Sequence, residues 1–335
     1  LDDGFYQIES NFSLFWGLAI QMYEATLVSN MTPYDDFVRG NDNALTEQQK
    51  LGFEVFIRED RGNCAACHSG SAFTSASVIA TALAPDGGQF DAELGRAEPP
   101  EPFHRMRMLD GGVSVYDGGY YNVGVTPTEM DLCIGADQGG FPLSYSRQAV
   151  QKADGTLINV ADAEADQDAL GDAGDFSVTG GPVQAGERVG VDGACKTPSL
   201  RNVELTAPYF HNGGHSTLDQ VILSYMLKFK NLHADDNVEN MSPALNHVDI
   251  GGLATDGVSI RGGEIEALKS FMNALTDERV RLHQAPFDHP KLFLPNGAKN
   301  GNKDRNKDGM ADDRRLIIPA VGAAGMDAPL PKFLD

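Results

Sequence analysis

Positive charge is the first thing this chain lacks. Its 335 residues hold 26 Lys and Arg against 48 Asp and Glu, a formal net charge of −22. A surface of that sign repels phosphate backbones and anionic lipid headgroups, so nucleic acid and acidic membrane are excluded as partners, while a basic protein is not. Acidity for solubility alone is the plainer explanation of the same balance. No apolar run reaches the roughly 18 residues that a transmembrane helix requires. No internal repeat and no signal peptide are visible, and the chain starts at Leu1 rather than Met, as expected of a processed chain or a fragment. Tryptophan occurs once, as Trp16, and cysteine four times. A second Cys/His pair at ligand spacing, which a structural zinc site would want, is missing. The length and a hydrophobic content of 41% still suffice for one large or two medium domains with a substantial core.

Two of the cysteines stand in Cys64-Ala65-Ala66-Cys67-His68. C-x-x-C-H is the attachment pattern of a c-type haem. Two thiols on one short turn can each form a thioether to a vinyl group of the same porphyrin. The histidine that follows is held under the ring, where an imidazole nitrogen can ligate the iron. The alternatives are a CxxC redox pair or half a zinc site. A thioredoxin-like redox pair wants a strand before it and a helix opening at the motif. Here a helical segment precedes the motif and a Ser/Gly loop, Ser69-Gly70-Ser71, follows. One covalent haem is expected, and with it passage across the bacterial inner membrane into a periplasmic or otherwise extracytoplasmic compartment. In an oxidising compartment the remaining pair, Cys133 and Cys195, is expected to form a disulfide.

Hydrophobic periodicity predicts a helix over 11–29, with Asn11 or Ser13 as N-cap. Thr46-Glu47-Gln48-Gln49 is a capping-box pattern opening a helix to about Ile57, which delivers the chain to the haem motif. From about 70 to 125 the sequence is rich in Gly and Pro, and loops with short strands are expected. Residues 130–190 read as an insertion. Within them 161–175 carries six acids and no base, as a solvated excursion would. A second capping pattern, Thr217-Leu218-Asp219-Gln220, opens a helix to about Lys228, and another helix spans roughly 263–275. The expected fold is mainly α: a cytochrome c-like haem domain with long loops and a few short strands. Residues 1–45 form an N-terminal helix and linker packing on the haem domain, 46–285 that domain, and 286–335 a C-terminal extension.

The segment KTPSLRNVELTAPYFHNGGHSTLDQVILSY (196–225), with CAACH, Tyr120-Tyr121-Asn122-Val123-Gly124 and the lead-in LTEQQKLGFEVF, resembles the C-terminal haem domain of the bacterial di-haem cytochrome c peroxidase/MauG family. The resemblance covers roughly residues 15–75, 115–130 and 195–280. It implies that the distal ligand lies on the helix after Thr217-Leu218, where the peroxidases place a methionine and MauG-like members a tyrosine. That position falls on Tyr225, with Met226 or a histidine as the alternatives. A phenolate is a hard anionic donor that favours ferric iron and lowers the potential. The resemblance also implies an interdomain calcium bound through the backbone carbonyls of Thr206 and Pro208, and a place for His211 near the interface of the haem domains. Arg201 could neutralise a haem propionate or make a plain surface ion pair. Trp16 could relay electrons, although core packing is its commoner use. Gly62-Asn63 stands where the MauG branch has a tryptophan before its CxxCH, which removes that exit route for electron holes.

Near the C-terminus Asp304, Asn306, Asp308 and Asp312, with Gly309, follow the spacing of a calcium loop. Arg315 stands where a bidentate Glu is usual, so Asp313 or another oxygen would have to complete the shell. The family's enzymes carry two haems, whereas this chain has one CxxCH and looks like the second half only. A six-coordinate iron has no vacancy for peroxide, so the chain alone is expected to be a poor peroxidase. Its expected role is electron transfer to a second haem in a partner domain or subunit, with a small basic protein as a possible electron donor. The alternative is a stand-alone mono-haem electron-transfer subunit of a larger complex.

Overall fold

The computed structural model describes residues 6–76, 103–150, 164–167, 181–182, 188–234, 263–298 and 313–330, and within 235–250 the residues 237, 239–241, 245, 248 and 250. Along the chain run α1 (Gln7–Ser10), α2 (Phe12–Glu24), α3 (Pro33–Val38) and α4 (Glu47–Ile57). Then come β1 (Phe103–Arg107), β2 (Val113–Asp117), β3 (Tyr120–Tyr121), β4 (Asp137–Gln138), β5 (Phe141–Pro142), α5 (Tyr145–Val150), β6 (Glu164–Gln167), β7 (Gly181–Pro182), β8 (Arg188–Val189) and β9 (Cys195–Lys196). The chain continues with α6 (Leu218–Met226), α7 (Glu264–Asn273), α8 (Glu278–Arg281), β10 (Leu292–Ala298) and β11 (Asp313–Ile318). Helices, short strands and long loops are all present, as expected. The strands are more organised than the sequence suggests.

The chain divides into two compact units, one of residues 42–275 and one of 1–41 with 276–333. In the larger unit α4 starts at a formed capping box. The Thr46 hydroxyl accepts from Gln49 N at 3.2 Å, and the Gln49 amide oxygen accepts from Thr46 N at 2.9 Å. Gly52, Val55 and Phe56 form its buried face, which packs on the Ala267, Leu268 and Phe271 face of α7. The Phe56 and Phe271 ring centroids lie 5.3 Å apart, and Phe73 closes the cluster at 5.8 Å from Phe56. The larger unit also holds a five-stranded sheet of order β7-β6-β1-β2-β8. The β1–β2 and β6–β7 pairs are antiparallel, and β1–β6 and β2–β8 are parallel. Met106, Met108, Tyr116, Val191 and Ala194 are buried in its core. β6 lies inside the acidic stretch, so four of those residues are paired into the sheet. The rest of 161–175 lies outside the described residues.

The smaller unit joins the two ends of the chain. Thr32 and Asp35 form a capping box for α3, with Pro33 in its first turn. The Asp277 carboxylate accepts from Met31 N at 3.1 Å, and Arg279 donates to Val28 O at 3.0 Å. β10 and β11 form an antiparallel ladder with a register shift between Pro295 and Ala298. The predicted first helix exists as α2, but Asn11 at its N-cap makes no side-chain cap bond. None of the α2 side chains is buried. Trp16 is 61% exposed and stacks on Phe12, with centroids 5.9 Å apart. Core packing is therefore not the role this structure gives Trp16, because no side chain of α2 is buried.

Candidate functional site

The Cys64 turn hangs directly from α4. Gly62 N donates back to Val55 O, Asn63 takes a left-handed φ of 49°, and Cys64–Ala66 makes one 3₁₀ turn closed by Cys67 N donating to Cys64 O at 3.2 Å, with His68 N donating to the same carbonyl at 2.8 Å. This geometry keeps two thiols and one imidazole on a single short arc. Neither thiol is in a disulfide. Burial pushes the Cys64 thiol up to about 12. A redox-active CxxC needs a depressed thiol, so the environment disfavours that alternative.

His68 is held by two carbonyls, Phe73 O and Pro198 O, each 3.1 Å from Nδ1. Carbonyls only accept, so Nδ1 carries the proton and Nε2 keeps its lone pair, the tautomer a metal ligand needs. Burial, only partly offset by those two hydrogen bonds, lowers the imidazole to about 4. It is therefore neutral at physiological pH.

Cys64, Cys67 and His68 open onto a cavity of about 410 Å³ within the larger unit, in the size range of small-molecule and cofactor pockets. Its walls are mostly apolar: Phe56 from α4, Leu218, Val221 and Ile222 from α6, Leu268 and Met272 from α7, with Val123 and Val125 from the turn after β3. Thr217 caps α6 as predicted, with Gln220 reciprocating. The helix carries Tyr225 onto the wall, where its ring meets Phe229 edge-on at 4.9 Å. Burial, then the nearby Cys67 and Cys64, raises the Tyr225 hydroxyl well above the usual phenol range. Met226, the next residue on α6, does not line the cavity.

Several wall residues escaped the sequence reading, among them Tyr121, Met272 and Lys196. Tyr121 is a second, half-buried phenol, raised by desolvation and by Cys67. Met272 brings a thioether, and Lys196 brings an ammonium that burial depresses. Tyr121 and Lys196 stand opposite neighbours on the paired strands β3 and β9, where Tyr120 faces Lys196 and Tyr121 faces Cys195. Both belong to stretches quoted above for their resemblance, and that was the available signal. Arg201 does not reach the wall: its Nε donates to Ser71 O at 2.7 Å, and its guanidinium lies 5.9 Å from the Phe73 ring centroid. Thr206 and Pro208 are on the wall, and the Ala207–Pro208 peptide between them is cis. Cys133 and Cys195 are joined in a disulfide, with Cα atoms 5.1 Å apart. His211 Nε2 sits 3.2 Å from Asp131 Oδ2. Asp304, Asn306, Asp308 and Asp312 lie outside the described residues, in the stretch joining β10 to β11.

No protein-family model matches the chain. Among curated proteins, the cytochrome-c peroxidase IdrP2 of Denitromonas iodatirespirans is 26% identical over 260 residues, 78% of this chain and 48% of the relative. The methylamine utilization protein MauG of Methylophilus methylotrophus is 45% identical over 56 residues, 17% of each chain. The cytochrome c551 peroxidase of Pseudomonas aeruginosa is 51% identical over 53 residues, 16% of this chain and 14% of the relative. This chain thus spans about half the length of that cytochrome-c peroxidase relative. By these matches, which agree with a CAACH motif on a cofactor-sized cavity, the chain is a relative of the bacterial cytochrome c peroxidases and MauG proteins.

Proposed function

We propose that this chain is the c-type haem electron-transfer domain of a di-haem peroxidase or MauG-like oxidoreductase. The observation that carries the reading is the shared cavity: Cys64, Cys67, His68 and Tyr225 all face one largely apolar space of about 410 Å³. These residues fit a haem. The thiols would hold it covalently, and His68 Nε2 and the Tyr225 oxygen would ligate its iron. Bound there, haem supplies an iron that changes charge by one electron without leaving the protein. The chain's own residues do the rest. The Phe73 and Pro198 carbonyls orient His68, the apolar walls exclude water, and Lys196 offers positive charge to the propionates. With His68 and Tyr225 both engaged on the iron, the domain would pass electrons to a second haem in a partner domain or subunit rather than turn over peroxide. An extracytoplasmic location follows from covalent haem attachment. Calcium in the loop of Asp304, Asn306, Asp308 and Asp312 is supported by the spacing of its oxygen donors. A basic electron donor suits the charge of −22.

Haem stoichiometry and peroxide turnover on the purified chain test this reading. One haem per chain by pyridine haemochrome, retained through organic extraction and lost in Cys64→Ser/Cys67→Ser, is expected, with negligible peroxide turnover by the chain alone. Haem that solvent extracts would refute covalent attachment. Brisk turnover by the isolated chain would refute the electron-transfer role.

A further inference from the structure

The Cys133–Cys195 disulfide has a polar neighbourhood that a purely structural cross-link does not need. The two sulfurs and a ring nitrogen of His211 all lie within 4.8 Å of one another. Asp131 reaches both partners: Oδ1 is 3.6 Å from Cys133 Sγ, and Oδ2 is 3.2 Å from His211 Nε2. Two sulfurs, an imidazole and a carboxylate thus converge from three separate parts of the chain. Beside them is a small cavity of about 20 Å³ lined by Cys195, His211 and Thr126. That is space for roughly one water molecule or ion.

We propose that reduction of this disulfide opens a four-donor site for a divalent ion of the zinc class, formed by Cys133, Cys195, His211 and Asp131. S₂NO sets of this kind are tetrahedral zinc ligands, with Zn–S near 2.3 Å. Soft thiolates select zinc over calcium or magnesium. The redox balance is simple. The S–S bond breaks on taking two electrons from a reductant: a dithiol supplies the two protons as well and becomes a disulfide, whereas a phosphine becomes its oxide by taking the oxygen of a water molecule whose two protons complete the thiols. Each thiol then loses its proton to solvent as its sulfur binds the ion. Thiol–disulfide exchange with an oxidised dithiol reverses this: the two sulfurs pass two electrons to that disulfide, the ion is expelled and the S–S bond is remade, so occupancy is gated by the thiol redox state. Cys195 also lines the larger cavity, so the site lies against its wall. The proposal does not depend on what fills that cavity.

Equilibrium dialysis of the haem-loaded protein against Zn²⁺, with and without prior phosphine reduction, tests the proposal when metal is counted by plasma mass spectrometry. One additional equivalent of zinc in the reduced protein is expected, and Cys133→Ser and His211→Ala should each remove it. Circular dichroism of each variant establishes that it is folded. Asp131→Asn should weaken binding at least tenfold. Equal zinc content in the reduced and oxidised proteins would overturn the proposal, as would undiminished zinc in folded His211→Ala.

Discussion

A methyl group at position 62 would come within 2.6 Å of the Val55 carbonyl oxygen and 3.1 Å of the Cys64 sulfur. Gly62 therefore lets the chain double back from α4 and sets where the first thiol points. Gly62→Ala should cost about 1–3 kcal/mol through overpacking and lower the yield of covalent haem. Haem-stained gels normalised to protein would show this, and an unchanged yield would mean the turn has slack. The motif that follows was legible because its chemistry is local: two thiols and an imidazole in five residues. Tyr121 and Met272 were not legible as wall residues. They reach the cavity only through the β3–β9 pairing and the α7 packing, and no local spacing in the sequence encodes either contact.

Helices declare themselves through their ends, and here the capping boxes of α4 and α6 made both starts readable before any packing was known. What the ends do not reveal is how closely helices approach one another. A Cβ on Gly52 would overlap the backbone carbonyl of Ala267 and come 2.8 Å from Phe271 Cβ, so α4 and α7 meet backbone to backbone at that point. Gly52→Ala should be destabilising by about 1–3 kcal/mol, although alanine is the better intrinsic helix former by about 1 kcal/mol. Chemical denaturation gives the sign directly: stabilisation would mean that the helices can separate at no cost. α2 shows the opposite limit. Its helical period was plain, but periodicity could not show that every side of it is exposed in the structure. The sheet was the least legible element, since β6 and β8 pair in parallel with strands far away in sequence.

At the scale of the whole molecule, the smaller unit is built from both ends of the chain, and Asp277 ties them together. Its side chain is fully buried and its carboxylate lies 2.6 Å from the Arg279 guanidinium, which is itself 21% exposed. Burial alone would raise this carboxyl, but Arg279 and the Met31 and Arg279 N–H groups outweigh it and hold it below the ordinary 3.8. A carboxyl depressed in the folded state contributes stability that is present above its unfolded pKa and is lost as pH falls through the folded one. Asp277→Asn should therefore cost about 2 kcal/mol at neutral pH, discounted for the exposure of Arg279. The variant should also lose less stability than the parent on acidification below pH 3.8. Thermal unfolding across that range would show parallel curves if the pair contributes nothing. The cross-link between Cys133 and Cys195 spans 62 residues of the larger unit, a contact between distant segments that cysteine count and compartment already suggested.

The central claim is that one covalent haem sits between His68 and Tyr225 in the cavity behind CAACH. The ferric electron paramagnetic resonance spectrum, recorded for wild type, Tyr225→Phe and Tyr121→Phe at one haem per chain, tests it most directly. The account predicts that Tyr225→Phe changes the ferric signal by removing the distal ligand, while Tyr121→Phe leaves it as in wild type. A Tyr225→Phe spectrum indistinguishable from wild type would contradict it.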